Sequence, residues 1–99
     1  MHIGIGTVEL RLYEGASLKE KRAVIRSLTA RLRQSGTLSV AEVGYQDKWQ
    51  RALLGLAVAA ADEDTVHRSF HMAAEIIEKE HRVELIRFDE EIEPYDTDR

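Results

Sequence analysis

Thr37 to Ala61 reads TLSVAEVGYQDKWQRALLGLAVAAA, and both of its ends are built for extended chain. Thr37 to Val43 is rich in β-branched residues, and Arg51 to Ala61 sets Leu54, Leu56 and Val58 on one face at period two. The polar stretch Gly44 to Gln50 between them joins two strands as a hairpin. Upstream, Ser17-Leu18-Lys19-Glu20 forms a capping box, in which the Ser17 hydroxyl accepts from the Glu20 amide and the Glu20 carboxylate reaches back. A helix follows to about Gln34, with Leu18, Ile25, Leu28 and Leu32 on one stripe and Ser35-Gly36 as its stop. Downstream, Asp62 caps a second helix reaching about His81, with Val66, Phe70, Ala73 and Ile77 facing inward.

The two ends of the chain complete the pattern. His2 to Leu12 alternates as a strand, Tyr13-Glu14-Gly15-Ala16 turns, and Val83 to Glu93 is the last strand. The order β-α-β-β-α-β predicts an α+β, ferredoxin-like sandwich. Its four-stranded antiparallel sheet runs 4-1-3-2, with both helices on one face. Residues 1–99 are expected to form a single domain, with 1–93 as the structured core and 94–99 as a polar tail. This topology starts helix 1 at the end of the sheet where the hairpin turns, so Ser17–Arg22 and Tyr45–Arg51 become neighbours. It also turns Ile3, Ile5, Ala57 and Ala59 away from the helices. An apolar patch there predicts a symmetric homodimer through the open sheet face.

Composition narrows the chemistry. With no cysteine, disulfides, thiolate metal sites and thiol nucleophiles are excluded. No apolar run approaches the ~18 residues that span a bilayer, and the N-terminus lacks a signal-peptide pattern, so a cytoplasmic protein without membrane contact is expected. The net charge of −4 conceals an asymmetry: residues 1–50 hold 8 Lys/Arg against 5 Asp/Glu, and residues 51–99 hold 6 against 13. Asp89, Glu90, Glu91, Glu93, Asp96 and Asp98 form an acidic end, read as a solvated edge and tail.

The candidate site lies at the basic end. Lys19, Lys21 and Arg22 occupy the first turns of helix 1, where the macrodipole is already positive, and Arg26 follows one turn on. Free amides with Lys and Arg attract a phosphate or carboxylate. The alternative is a solvated basic face, with Lys21 snorkelling over the apolar stripe. The facing loop brings Gln46, Asp47, Trp49, Gln50 and Arg51. Trp49 either stacks on a base or folds back to cap the core, and Asp47 is placed to pair with Arg51 or Arg22. His67 and His71, four apart, form a weak metal pair with Glu75 or Glu78, and a surface pair is the commoner case. Gly4-Ile5-Gly6 lacks the third glycine of a dinucleotide fingerprint and reads instead as a place where a helix approaches the sheet.

Ser17-Leu18-Lys19-Glu20-Lys21-Arg22, Ser39-Val40-Ala41-Glu42-Val43 and Gln46-Asp47-Lys48-Trp49-Gln50-Arg51-Ala52 together resemble the YlxP-like family of small uncharacterised bacterial proteins. The resemblance implies a ferredoxin-like sandwich, in a family for which no enzymatic activity is established. It also implies a gene set beside those for translation initiation factor two and ribosome-binding factor A, hence work near the ribosome. The leading expectation is a non-catalytic module that holds ribosomal or other RNA. Its rivals are a small-anion sensor or carrier and a homodimeric structural partner, with an enzyme ranked last for want of a nucleophile–base pair. No cofactor is implied.

Overall fold

The computed structural model describes residues 1–13 and 17–96. The turn expected at Tyr13–Ala16 and the end of the tail therefore lie largely outside the described residues. β1 (His2–Leu12), α1 (Leu18–Gln34), β2 (Ser39–Gly44), β3 (Arg51–Ala60), α2 (Glu63–Glu78) and β4 (Val83–Pro94) follow in that order. The sheet order is β2-β3-β1-β4 with every neighbouring pair antiparallel, the predicted sandwich.

Period-two alternation explains which face each strand buries. Val8, Leu10 and Leu12 of β1 and Ala52, Leu54, Leu56 and Val58 of β3 all point into the helix layer and are buried. They meet Val24, Ile25, Leu28 and Leu32 from α1 and Val66, Phe70, Ala73 and Ile77 from α2. Ser17 accepts from the Glu20 amide at 3.1 Å, and Asp62 accepts from the Thr65 amide at 2.8 Å, so both N-cap residues stand where the sequence put them. Gly4 and Gly6 bring α2 close: a Cβ at Gly4 would lie 2.4 Å from Val66 Cγ1 and 2.8 Å from the Phe70 ring. Phe70 in turn packs edge-on against Phe88 of β4, with centroids 6.0 Å apart.

Five boundaries differ from the sequence reading; among them, β2 runs one residue on to Gly44 and β3 stops one short at Ala60. β2 begins at Ser39 rather than Thr37, because Leu38 is spent closing the core after α1 rather than pairing with β3. α2 stops at Glu78, three residues early, because Glu80 turns inward. The Glu80 amide donates to the Ile77 carbonyl at 3.0 Å, and its carboxylate accepts from the Arg82 amide at 3.0 Å. β4 runs through Pro94, beyond which the Tyr95 amide donates to Met1 O at 2.7 Å. Between Leu85 and Arg87, Ile86 has no partner on β1, a one-residue bulge that lets Leu85 and Phe88 share the buried side.

β2 and β4 are the sheet's edges, and each is guarded. On β2, Arg33 Nη2 donates to the Val40 carbonyl at 2.7 Å and Gln46 Nε2 to the Glu42 carbonyl at 3.1 Å, occupying acceptors an intruding strand would need. On β4, Asp89, Glu90, Glu91 and Glu93 are all exposed and carry one sign of charge.

Glu80 joins the layers at the far end. Its carboxylate accepts from Arg82 Nε at 2.8 Å, Arg82 Nη2 at 2.7 Å and Arg31 Nη2 at 2.5 Å. The Arg82 hydrogen bonds lead in pulling its carboxyl down from the usual 4.5 to about 2, against the opposing effect of burial. Because the folded value is depressed, this stabilisation is complete above the unfolded value near 4.5 and is lost as pH falls toward 2. Chemical denaturation from pH 6 to pH 2 should show a loss of about 3 kcal/mol from this group, and Glu80→Gln should remove that component of the slope while being less stable at neutral pH. Gly4→Ala should cost roughly 1–3 kcal/mol in the same assay, because Val66 and Phe70 sit in a packed core and yield little.

Candidate basic groove beside helix 1

Lys21 stands in the apolar stripe of α1, four residues before Ile25 and seven before Leu28, and it is fully buried. It does not snorkel to solvent as the bland reading held. Its Nζ meets Glu42 Oε2 at 2.9 Å and donates to the Tyr45 carbonyl at 2.5 Å. Glu42 shares parity with buried Val40, so β2 aims its carboxylate at the helix layer. Tyr45 opens the loop in the left-handed region at φ 58°, a conformation few non-glycine residues hold without support. The ammonium thus fixes the loop rather than facing a ligand. It also closes this end of the core, which explains why Trp49 does not. Trp49 stays 38% exposed and outside the buried cluster.

Around this fixed point lies an open groove of about 510 Å³, lined by Arg22, Arg26, Thr29 and Arg33 along α1 and by Glu42, Gln46 and Asp47 across it. At 100° per residue, Arg22, Arg26 and Arg33 fall within roughly 40° of one another on the helix surface. Arg33 spends one N–H on the Val40 carbonyl, while Arg22 and Arg26 make no ion pair among the described residues. The Glu42 carboxylate is balanced by Lys21, which leaves Asp47 as the acid at the rim with no ion pair among the described residues.

The expected site is therefore split. Arg22, Arg26, Gln46 and Asp47 come together; Lys19 is exposed but does not line the groove. Ser17 and Glu20 cap the helix and take no part in it. Arg51 pairs with Glu9 instead of Asp47, because its odd position in β3 turns it to the open side of the sheet. Gln50 sits beside Arg11, Leu12 and Tyr13, where its carbonyl accepts from the Leu12 amide at 2.8 Å. The loop reading missed Arg33 and Glu42. Helical spacing from Arg22 and strand parity with Val40 would have found both.

The two histidines have local partners. His67 Nε2 lies 3.5 Å from Glu63 and His71 Nε2 2.8 Å from Glu75, at the mouth of a second cavity of about 390 Å³ floored by Phe70 and Phe88. Among the described residues no three His, Cys, Asp or Glu side chains gather in a way that could hold a metal ion. No helix there is long and apolar enough to cross a membrane.

Comparison with known proteins separates what the fold says from what the family says. A structural-genomics protein, YJCS, matches with TM-score 0.60 at 11% identity, over 90% of this chain and 96% of its own. A de novo designed protein, Foldit4, matches with TM-score 0.55 at 12% identity, over 97% of this chain and 100% of its own. A fold that a designed chain shares in full carries no function by itself. In sequence, the uncharacterized protein YlxP of Bacillus subtilis (strain 168) is 41% identical over 59 residues, 60% of this chain and 64% of that protein's length. The family described as "Protein of unknown function (DUF503)" matches residues 3–90, nearly the whole folded core, and the chain belongs to that family.

Proposed function

We propose that this chain is a non-catalytic binding module that holds RNA on the ribosome by its phosphates along the groove between α1 and β2. The observation that carries this reading is the stripe of Arg22, Arg26 and Arg33 lining one side of that groove. Eleven residues of helix place the outer two roughly 16 Å apart. A single small anion would engage one or two of these guanidiniums, whereas a strand with a phosphate every few ångströms engages all three. Gln46 across the groove adds an amide that suits sugar or base edges as well as phosphate. The translation genes implied by the family resemblance supply the setting.

The test is RNA binding, and ribosome co-sedimentation, measured across a salt series. Three phosphate contacts on a single strand predict a slope of log affinity against log salt near −2, and each lost arginine should lower it by about 0.7. Arg22→Glu/Arg26→Glu should therefore abolish binding at moderate salt while leaving the thermal unfolding temperature unchanged. Salt-independent binding, or an unchanged affinity in that double variant, overturns the reading. Lys21→Met should behave in the opposite way, lowering stability by roughly 3 kcal/mol because Glu42 loses its buried partner, a loss that denaturant titration measures.

A further inference from the structure

The two walls of the groove differ in charge. Along α1 stand Arg22, Arg26 and Arg33; across from them stand Glu42, Gln46 and Asp47. Glu42 is spent on Lys21 Nζ at 2.9 Å. Asp47 is not spent: it is exposed at the rim, and its side chain makes no hydrogen bond or ion pair among the described residues. Its place is nonetheless held. The Tyr45 carbonyl accepts from Lys21 Nζ at 2.5 Å and from the Lys48 amide at 3.0 Å, and Gln46 Nε2 donates to the Glu42 carbonyl at 3.1 Å. These bonds pin the chain on both sides of residue 47, so a braced turn carries the free carboxylate.

We propose that Asp47 reads base identity in this groove and selects guanine in single-stranded RNA. The inference rests on the RNA reading of the groove and deepens it. An unpaired carboxylate repels a phosphate backbone, so the strand's phosphates follow the arginine wall and its bases turn across toward Asp47. A carboxylate only accepts hydrogen bonds, and its two oxygens suit two parallel donors. Guanine has such a pair on its Watson–Crick edge, N1–H beside the 2-amino group. Adenine and cytosine set one amino donor beside a ring-nitrogen acceptor, and uracil sets one N–H between two carbonyls. Each of these three turns a lone pair against the carboxylate. The Watson–Crick edge is free only in an unpaired strand, where splayed-out bases are read by hydrogen bonds to it. The groove's volume of about 510 Å³ falls in the range that encloses a drug-sized ligand, and one nucleotide is of that size.

Fluorescence anisotropy of the full chain with labelled uridine octamers, each carrying one central guanine, adenine, cytosine or hypoxanthine, tests this. The guanine octamer should bind about tenfold tighter than the all-uridine one, and hypoxanthine, which lacks the 2-amino donor, should lose most of that margin. Asp47→Asn should erase the preference. It should weaken binding of the guanine octamer yet bind the all-uridine octamer slightly tighter, because a negative charge has left the groove. Its thermal unfolding temperature should match that of the wild type, since the Asp47 side chain bonds to nothing in the fold among the described residues. A wild type that binds every octamer alike, with a salt slope near −2, overturns the guanine inference and leaves the RNA reading standing. Equal tightening of the guanine and all-uridine octamers by Asp47→Asn makes the carboxylate a repulsive charge only and also overturns it. Failure of every octamer to bind at any salt overturns the RNA reading, and the inference with it.

Discussion

A buried ammonium holds the architecture of this protein in place. Taking Lys21 out of water costs several kcal/mol, and only a close carboxylate and a carbonyl repay it. Glu42 and Tyr45 supply them at 2.9 and 2.5 Å. The pair ties the first turns of α1 to the last residues of β2 and to the first residue of the hairpin loop. The helix start lies some twenty residues before the other two, which are contiguous in sequence. Because the tie is ionic and directional, it sets orientation as well as proximity. The helix must lie so that residue 21 faces inward, and its basic stripe then falls along the β2 edge.

That placement gives the arginines two roles. Arg33 guards the edge by occupying the Val40 carbonyl, and it also forms the far end of the groove. Protection of the edge and attraction of anions are thus joined in one side chain, while the opposite edge is protected chiefly by carboxylates, with Arg87 paired to Asp89 among them. Opposite signs on the two edges of one sheet also account for the near-neutral whole: the chain's net charge of −4 is the residue of two strongly polarised flanks.

Most of the fold was legible because each element repeats a simple period. Leu54, Leu56 and Val58 announced β3, and Ile25, Leu28 and Leu32 announced α1, since burial on one face is a local property of spacing. The same parity, applied strictly, turns Arg51 away from the groove and Glu42 toward it, so part of the site was written in the pattern and went unread. Other parts were not there to read. Lys21 occupies a core position by spacing, yet no spacing reveals that Glu42, 21 residues on, will neutralise it, because that contact depends on how α1 crosses β2. The early stop of α2 likewise depends on Arg31, in another helix, and on Arg82, which together draw Glu80 inward.

β1 lies inside the sheet although it precedes the other three strands in sequence. One of its neighbours, β3, arrives some fifty residues later, and the other, β4, some eighty. Phe70 likewise waits for Phe88. The contacts that define the core therefore have high contact order, and the sheet cannot close until Val83–Pro94 has been synthesised. At about 5–20 residues per second, the nascent chain spends seconds with β1 unpaired along one side. During that interval the edge of β1 that will pair with Asp89, Glu91 and Glu93 stands open. Closure of the sheet is thus timed by the emergence of β4.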